Sequence, residues 1–106
     1  MKILFDQGTP VPLRQHLAGH SVSTAHELGW GGLSNGDLLR EVEAAFDALV
    51  TTDQNLRYQQ NLSERKLAIL VLPTTSWPRI RRHVALVIEA VSGLRPGDYR
   101  ELDLPE

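Results

Sequence analysis

Apolar and polar positions along this chain follow two rhythms. One is the short, uninterrupted apolar run. KILF at Lys2–Phe5 stops at Asp6, ALVTT at 48–52 stops at Asp53, and LAILVL at 67–72 stops at a proline. Runs of this length, rich in β-branched and aliphatic residues and bounded by turn formers, predict strands covered on both faces, as in a parallel sheet. The other rhythm is helical. Leu13 and Leu17 lie one turn apart behind Thr9 and Pro10, where threonine suits a cap and proline the first turn. Leu38, Leu39, Val42, Ala45 and Phe46 form an apolar stripe behind Ser34, with Asp37 three positions on as a variant capping box. Ile80, Val84, Val87, Ile88 and Val91 mark one long helix, capped by Thr75 or Ser76 and stopped by Gly93.

Two further extended pieces complete the set, a polar one at 20–24 and a short one at 99–104. A glycine-rich loop, HELGWGGLSNG at 26–36, joins the second strand to the second helix and holds Trp30. Residues 54–64 are polar, with Leu56, Tyr58 and Leu62 as candidate anchors. Strands alternating with helices predict an α/β domain with a mainly parallel sheet of four strands and a fifth at an edge. With 106 residues and neither repeat nor linker, one domain spanning 1–106 is expected.

Composition narrows the function classes. Eleven basic against thirteen acidic side chains leave a formal net charge of −2. Broad attraction to a polyanion is therefore not expected, and any nucleic-acid contact needs a local basic patch. There is no cysteine, which removes disulfides and thiolate metal sites and fits a reducing, cytoplasmic setting. No apolar run approaches the roughly 18 residues that cross a bilayer, and MKILFDQ lacks the apolar stretch of a secretion signal. Four histidines show neither HxH nor HExxH spacing, and GxGxxG, GxxxxGK[ST] and GxSxG are all missing.

The carboxyl ends of parallel strands share one edge, and ligands bind there at the point where strand order reverses. In the order 2-1-3-4-5, Asp6 and Asp53 end neighbouring strands at that point. Two close carboxylates repel, and a hard divalent cation relieves them by taking their oxygens. The plainer reading is that aspartate often ends a strand by bonding nearby backbone. The two stand at even weight. Glu27 follows strand two at the same edge as a third acid, or as a solvated loop residue. Thr74, Thr75 and Ser76 follow strand four, as phosphate contacts or as ordinary caps. Arg79, Arg81, Arg82 and His83 form a basic cluster beside Trp77, which Arg57, Tyr58 and Arg65 could extend. They would hold a polynucleotide by charge and stacking, or simply occupy the solvent face of a helix. Residues 78–92 are long enough for this helix to pair with a second copy in a homodimer, although core packing explains its apolar stripe equally well.

KILFDQGTP, ELGW, LSNGDLL and LVTTDQNL, in this order and spacing over residues 1–75, resemble a PIN-like family of small, toxin-like proteins encoded beside antitoxin-like partners. The resemblance implies a small three-layer domain with helices on both faces of the sheet. It also implies a metal-dependent ribonuclease, the toxin component of a toxin–antitoxin pair, using magnesium or manganese to activate water against RNA phosphodiesters. Asp6 matches the family's first acid and Asp53 its TxD acid. At the middle position relatives tend to read Ser-Asp-Glu-Glu, where this chain reads Ser34-Asn35-Gly36-Asp37. At the first strand end relatives often carry Asp-Glu-Asn, against Asp6-Gln7-Gly8 here. An amide oxygen still ligates a hard cation but brings no charge. Asp6, Asp53 and Asp37 are thus the expected catalytic residues, with Glu27 as a further metal ligand. Arg79, Arg81, Arg82 and Asn35 are expected to contact substrate. The alternative is a weak or lapsed nuclease that binds a partner protein or RNA. A phospho-acceptor signalling domain also ends its third strand on aspartate, but it wants a second acid beside the first and a lysine after strand five. Gln7 follows Asp6, and 99–106 hold no lysine.

Overall fold

A computed structural model describes residues 1–59 and 65–105, with the side chains of Tyr58 and Gln59 outside the described set. The anchor expected at Leu62 lies outside the described residues, as does the Tyr58 side chain. The strands are β1 (Lys2–Phe5), β2 (Ser21–Thr24), β3 (Ala48–Thr51), β4 (Ala68–Val71) and β5 (Tyr99–Glu101). All neighbouring pairs are parallel, and the order is β2-β1-β3-β4-β5. The helices are α1 (Asn35–Ala45), α2 (Leu56–Gln59), α3 (Trp77–Arg82) and α4 (Val84–Ser92), with a 3₁₀ helix at Val11–His16. This is the α/β architecture expected, with its fifth strand at the edge.

The central strands are apolar throughout because both their faces are covered. Alternate residues of β1 fall into different cores: Ile3 and Phe5 into one, Leu4 into the other. The first core also takes Ala48, Val50 and Leu70 from the sheet, Leu13 from the 3₁₀ helix, Ile80 from α3 and Val87 and Val91 from α4. The second takes Leu49 and Ile69 from the sheet, Leu39 and Val42 from α1, and Leu56. Helices therefore cover both faces, and three layers result. Among the described residues, no helix is long and apolar enough to cross a membrane.

Two helices depart from expectation. The segment after Thr9 is 3₁₀, and Pro10 stands at its cap with no side-chain hydrogen bond. Pro10 and Pro12 sit at the cap and in the first turn, where their missing amides cost nothing, and the Leu13 and Leu17 amides reach only three residues back, to the Pro10 and Arg14 carbonyls at 3.2 Å. The long helix is interrupted at His83, whose φ of −124° and ψ of 28° leave the helical range. Its amide bonds the Ile80 carbonyl three residues back at 3.0 Å, a tightened turn that closes α3 before α4 restarts.

Candidate acidic binding site

β1 and β3 run in register, with Phe5 opposite Val50, and the Asp6 amide extends the ladder to the Val50 carbonyl at 3.1 Å. One step further, the neighbour of Asp6 is Thr51 and not Asp53. Thr51 is 1% exposed, and its hydroxyl does two jobs. It donates to Asp6 Oδ2 and accepts the Asp53 amide at 3.1 Å. Thr9, also buried, donates to Asp6 Oδ1 at 2.8 Å and stands 2.9 Å from the Val50 carbonyl, so one hydroxyl proton serves two acceptors. This is where the Thr9 hydroxyl goes instead of capping a helix.

Asp53 is oriented by its own turn. Its Oδ1 accepts the Asn55 amide at 2.9 Å, the ordinary bonding of an aspartate two residues ahead. Its Oδ2 accepts Asn35 Nδ2 at 3.2 Å, from the first turn of α1. The fold therefore brings together Asp6, Asp53 and Asn35, linked through Thr51. Among the described residues, neither aspartate has a cationic partner. Gln54 turns away, its amide donating to the Leu72 carbonyl.

The other acids are engaged elsewhere. The Asp37 carboxylate pairs with Arg40 one turn along α1, while its amide is capped by Ser34 Oγ at 3.3 Å. Glu27 receives both terminal nitrogens of Arg14, at 2.7 and 3.2 Å, and also the Thr24 amide at 2.9 Å. The Arg14 guanidinium first, and the Thr24 amide second, hold the Glu27 carboxyl below its ordinary 4.5. Glu27 thus closes the outer edge of β2, where its carboxylate takes an amide that a neighbouring strand would otherwise use.

The family's divalent centre can be tested on these positions. Among the described residues, no group of three His, Cys, Asp or Glu side chains stands close enough together to hold a metal ion. Asp37 and Glu27 are ion-paired away from Asp6 and Asp53, and the remaining position carries an amide donor aimed at Asp53. The residues do not fit a three-acid cage.

The basic cluster also divides. Arg79 donates to the Leu104 carbonyl at 3.2 Å, half-buried against the tail, so it ties down the chain and is not a free phosphate contact. Trp77 packs on the first core and tilts against His16 with ring centres 5.6 Å apart, which removes it as a stacking platform. Arg57 pairs with Glu101 and Arg65 with Glu43, both at 3.0 Å, so neither extends the patch. Thr74 Oγ1 accepts the Ser76 amide and Ser76 Oγ that of Arg79, which are capping roles. Arg81 and Arg82 are exposed and make no ion pair among the described residues.

Asp6 and Gln7 form the shared wall of two clefts. One, of about 350 Å³, is lined also by Val11, Arg14, His26 and Glu27. The other, of about 170 Å³, includes Trp30, Gly31, Leu33 and Asn35. The Gln7 amide lies flat on Gly31, where a Cβ would come within 3.1 Å of Nε2, so glycine is what leaves room for it. Around this edge Val11, Leu28 and Leu33 are 54%, 40% and 37% exposed. Sequence reasoning missed Thr51, Thr9 and Arg14. The signal for Thr51 was available: a hydroxyl as the last residue of a doubly buried strand needs a partner, and register puts it beside Asp6. Compared with known proteins, this chain matches no family model, no curated protein and no solved structure.

Proposed function

We propose that this chain is a PIN-like module that keeps the acidic sheet edge and acts by binding. The edge receives a cationic side chain, arginine or lysine, that a small antitoxin-like partner protein presents between apolar residues. One observation carries this reading. Asp6 walls both clefts, its carboxylate is met only by the Thr9 and Thr51 hydroxyls among the described residues, and exposed Val11 and Leu33 line the same clefts. A carboxylate already oriented by two hydroxyls is prepared for a charge-assisted pair, and apolar neighbours strengthen that pair by excluding water.

The test is a short peptide with one arginine between leucines, titrated against the protein beside its citrulline counterpart, which keeps the shape and loses the charge. The arginine peptide should bind at least about tenfold more tightly, and Asp6→Asn should erase the difference. Equal binding of the two peptides sinks the reading.

A second reading is RNA cleavage dependent on magnesium or manganese. It is favoured by the meeting of Asp6 and Asp53 at the switch point, each carboxylate retaining free lone pairs. It predicts divalent-dependent cleavage that disappears in Asp53→Ala. Cleavage unaltered by chelator or by that substitution excludes it.

A further inference from the structure

A cleft of about 600 Å³ opens at the amino ends of β1, β3 and β4, the opposite edge of the sheet from Asp6. It is larger than either cleft beside Asp6. Met1, Phe46, Leu67, Leu94 and Pro96 give it an apolar wall. Leu67 belongs to one core and Leu94 to the other, so this wall continues both cores to the surface. The polar rim is uneven. Its acids are committed. Glu43 accepts Arg65 Nη1 at 3.0 Å and the Lys66 amide at 3.3 Å, and Asp47 Oδ2 accepts the Lys2 amide at 2.8 Å. Asp98, beside the rim, accepts the Arg95 amide at 2.9 Å. Two of its cations are not committed. Lys66 and Arg95 are exposed, and neither side chain makes an ion pair or hydrogen bond among the described residues. Each engages an acid through its backbone amide and leaves its charged end in solvent.

The fold holds these two cations to one rim. The Gly97 amide donates to the Lys66 carbonyl at 2.8 Å, and a φ of 84° at Gly97 closes the turn in which the Asp98 amide returns to the Arg95 carbonyl at 3.0 Å. A third cation, Lys2, lies over the Phe46 ring at 5.3 Å. Lys2, Arg65, Lys66 and Arg95 thus stand with Glu43, Asp47 and Asp98, a local positive excess in a chain of net charge −2. We infer that this cleft binds a small amphipathic anion. Its apolar body lies against Phe46, Leu67 and Leu94, and its carboxylate or phosphate head lies between Lys66 and Arg95. The volume is that of a site for a small organic molecule. Arginine offers a fork of donors to either head and lysine a point charge, so one group with two oxygens satisfies both. The positive excess disfavours a cation. This inference is independent of what binds at Asp6, which lies at the other ends of the strands.

The probe is phenylbutyrate, titrated into the native chain and followed at each backbone amide by NMR. Phenylbutanol, which keeps the apolar body and loses the charge, is titrated beside it. Binding of the acid should saturate below about 10 mM, with the shifts centred on Phe46, Leu67, Ala68 and Leu94. The acid should bind about five- to tenfold more tightly than the alcohol, as two partly exposed charge pairs would give. Combining Lys66→Met with Arg95→Met changes two exposed side chains, so the thermal melt should be unchanged, and the preference for the acid should disappear. Phenylbutyl phosphate separates the two heads. It binds more tightly than phenylbutyrate at a site built for phosphate, and no more tightly at one built for carboxylate. Equal affinity for acid and alcohol in the native chain overturns the inference. So do shifts centred away from this cleft, or a double variant that still prefers the acid as the native chain does.

Discussion

Replacing Asn35 by aspartate asks directly whether an amide has taken the place of an acid. In the native chain, Asn35 Nδ2 donates to Asp53 Oδ2 at 3.2 Å. The substitution removes that donor and sets a second carboxylate in its place. Two unit charges at this distance repel by about 1.3 kcal/mol in bulk water and about 5 kcal/mol at an effective dielectric of 20, and the half-buried site lies between. The lost charge-assisted hydrogen bond adds about 1.5–3 kcal/mol. Against this, residue 35 opens α1, where a negative charge gains about 0.3–1 kcal/mol from the helix dipole. The expected net loss at neutral pH is about 2–8 kcal/mol, a large part of the roughly 5–15 kcal/mol that holds a domain together. The sign with pH follows from linkage. Like charges raise the folded-state carboxylate pKa above its unfolded value, so the folded variant binds more protons. Its deficit is absent in acid and grows as pH rises through the raised pKa. A divalent cation between the two carboxylates should reverse the loss, by about 2.7 kcal/mol at one hundred times its dissociation constant. The assay is urea denaturation of both proteins at neutral pH, in chelator and in about 10 mM manganese. The variant should be weaker in chelator and recover with manganese, while the native chain shows neither effect. A variant as stable as the native chain in chelator, or equal shifts of both with manganese, refutes the reasoning.

Three further outcomes are expected. Thr51→Val keeps the shape but leaves Asp6 Oδ2 and the Asp53 amide without their shared hydroxyl, so stability should fall by about 2–4 kcal/mol with an unchanged urea slope, and a loss below about 0.5 kcal/mol would contradict the bridging role. Glu27→Gln should be less stable than the native chain at neutral pH, and the gap should close as pH falls below 4.5, because Arg14 and the Thr24 amide depress the folded carboxyl and that contribution is lost on protonation. Urea midpoints for both proteins between about pH 3 and 7 check this, and a gap independent of pH would contradict it. Arg79→Met should lower stability by about 1–2 kcal/mol by freeing the Leu104 carbonyl, whatever the salt concentration, whereas loss of RNA affinity with unchanged stability would return Arg79 to the role of phosphate contact.

The fold was legible because doubly buried strands leave a mark that few other structures leave. KILF, ALVT and AILV contain almost no polar side chain, and a sheet with helices on both faces is the common way to cover such runs. The helix ends were less legible. Periodicity counts apolar faces and does not register that the segment after Thr9 closes in three-residue turns, or that the chain tightens at His83. The site was legible in address only. A carboxylate at a strand end is visible in a sequence, but its chemistry depends on the groups it meets. Asp37 meets Arg40 three residues away, a pairing that helical spacing alone allows. Glu27 meets Arg14 thirteen residues away, which only the finished loop reveals.

The same dependence on partners decides what the edge can do. A nuclease centre needs acids that stay unpaired until a cation arrives, and four carboxylates stood at or near this edge in the sequence. Two were claimed by arginines on the surface, and their removal leaves Asp6 and Asp53. Those two are held by neutral donors alone among the described residues: Thr9, Thr51, Asn35 and the Asn55 amide. Neutral donors orient a carboxylate without cancelling its charge. The edge is therefore short of the ligands that would cage a metal, yet its charge is still uncompensated. A single cationic group brought in from outside, between apolar residues that match Val11 and Leu33, meets that condition with fewer protein ligands than a metal centre requires.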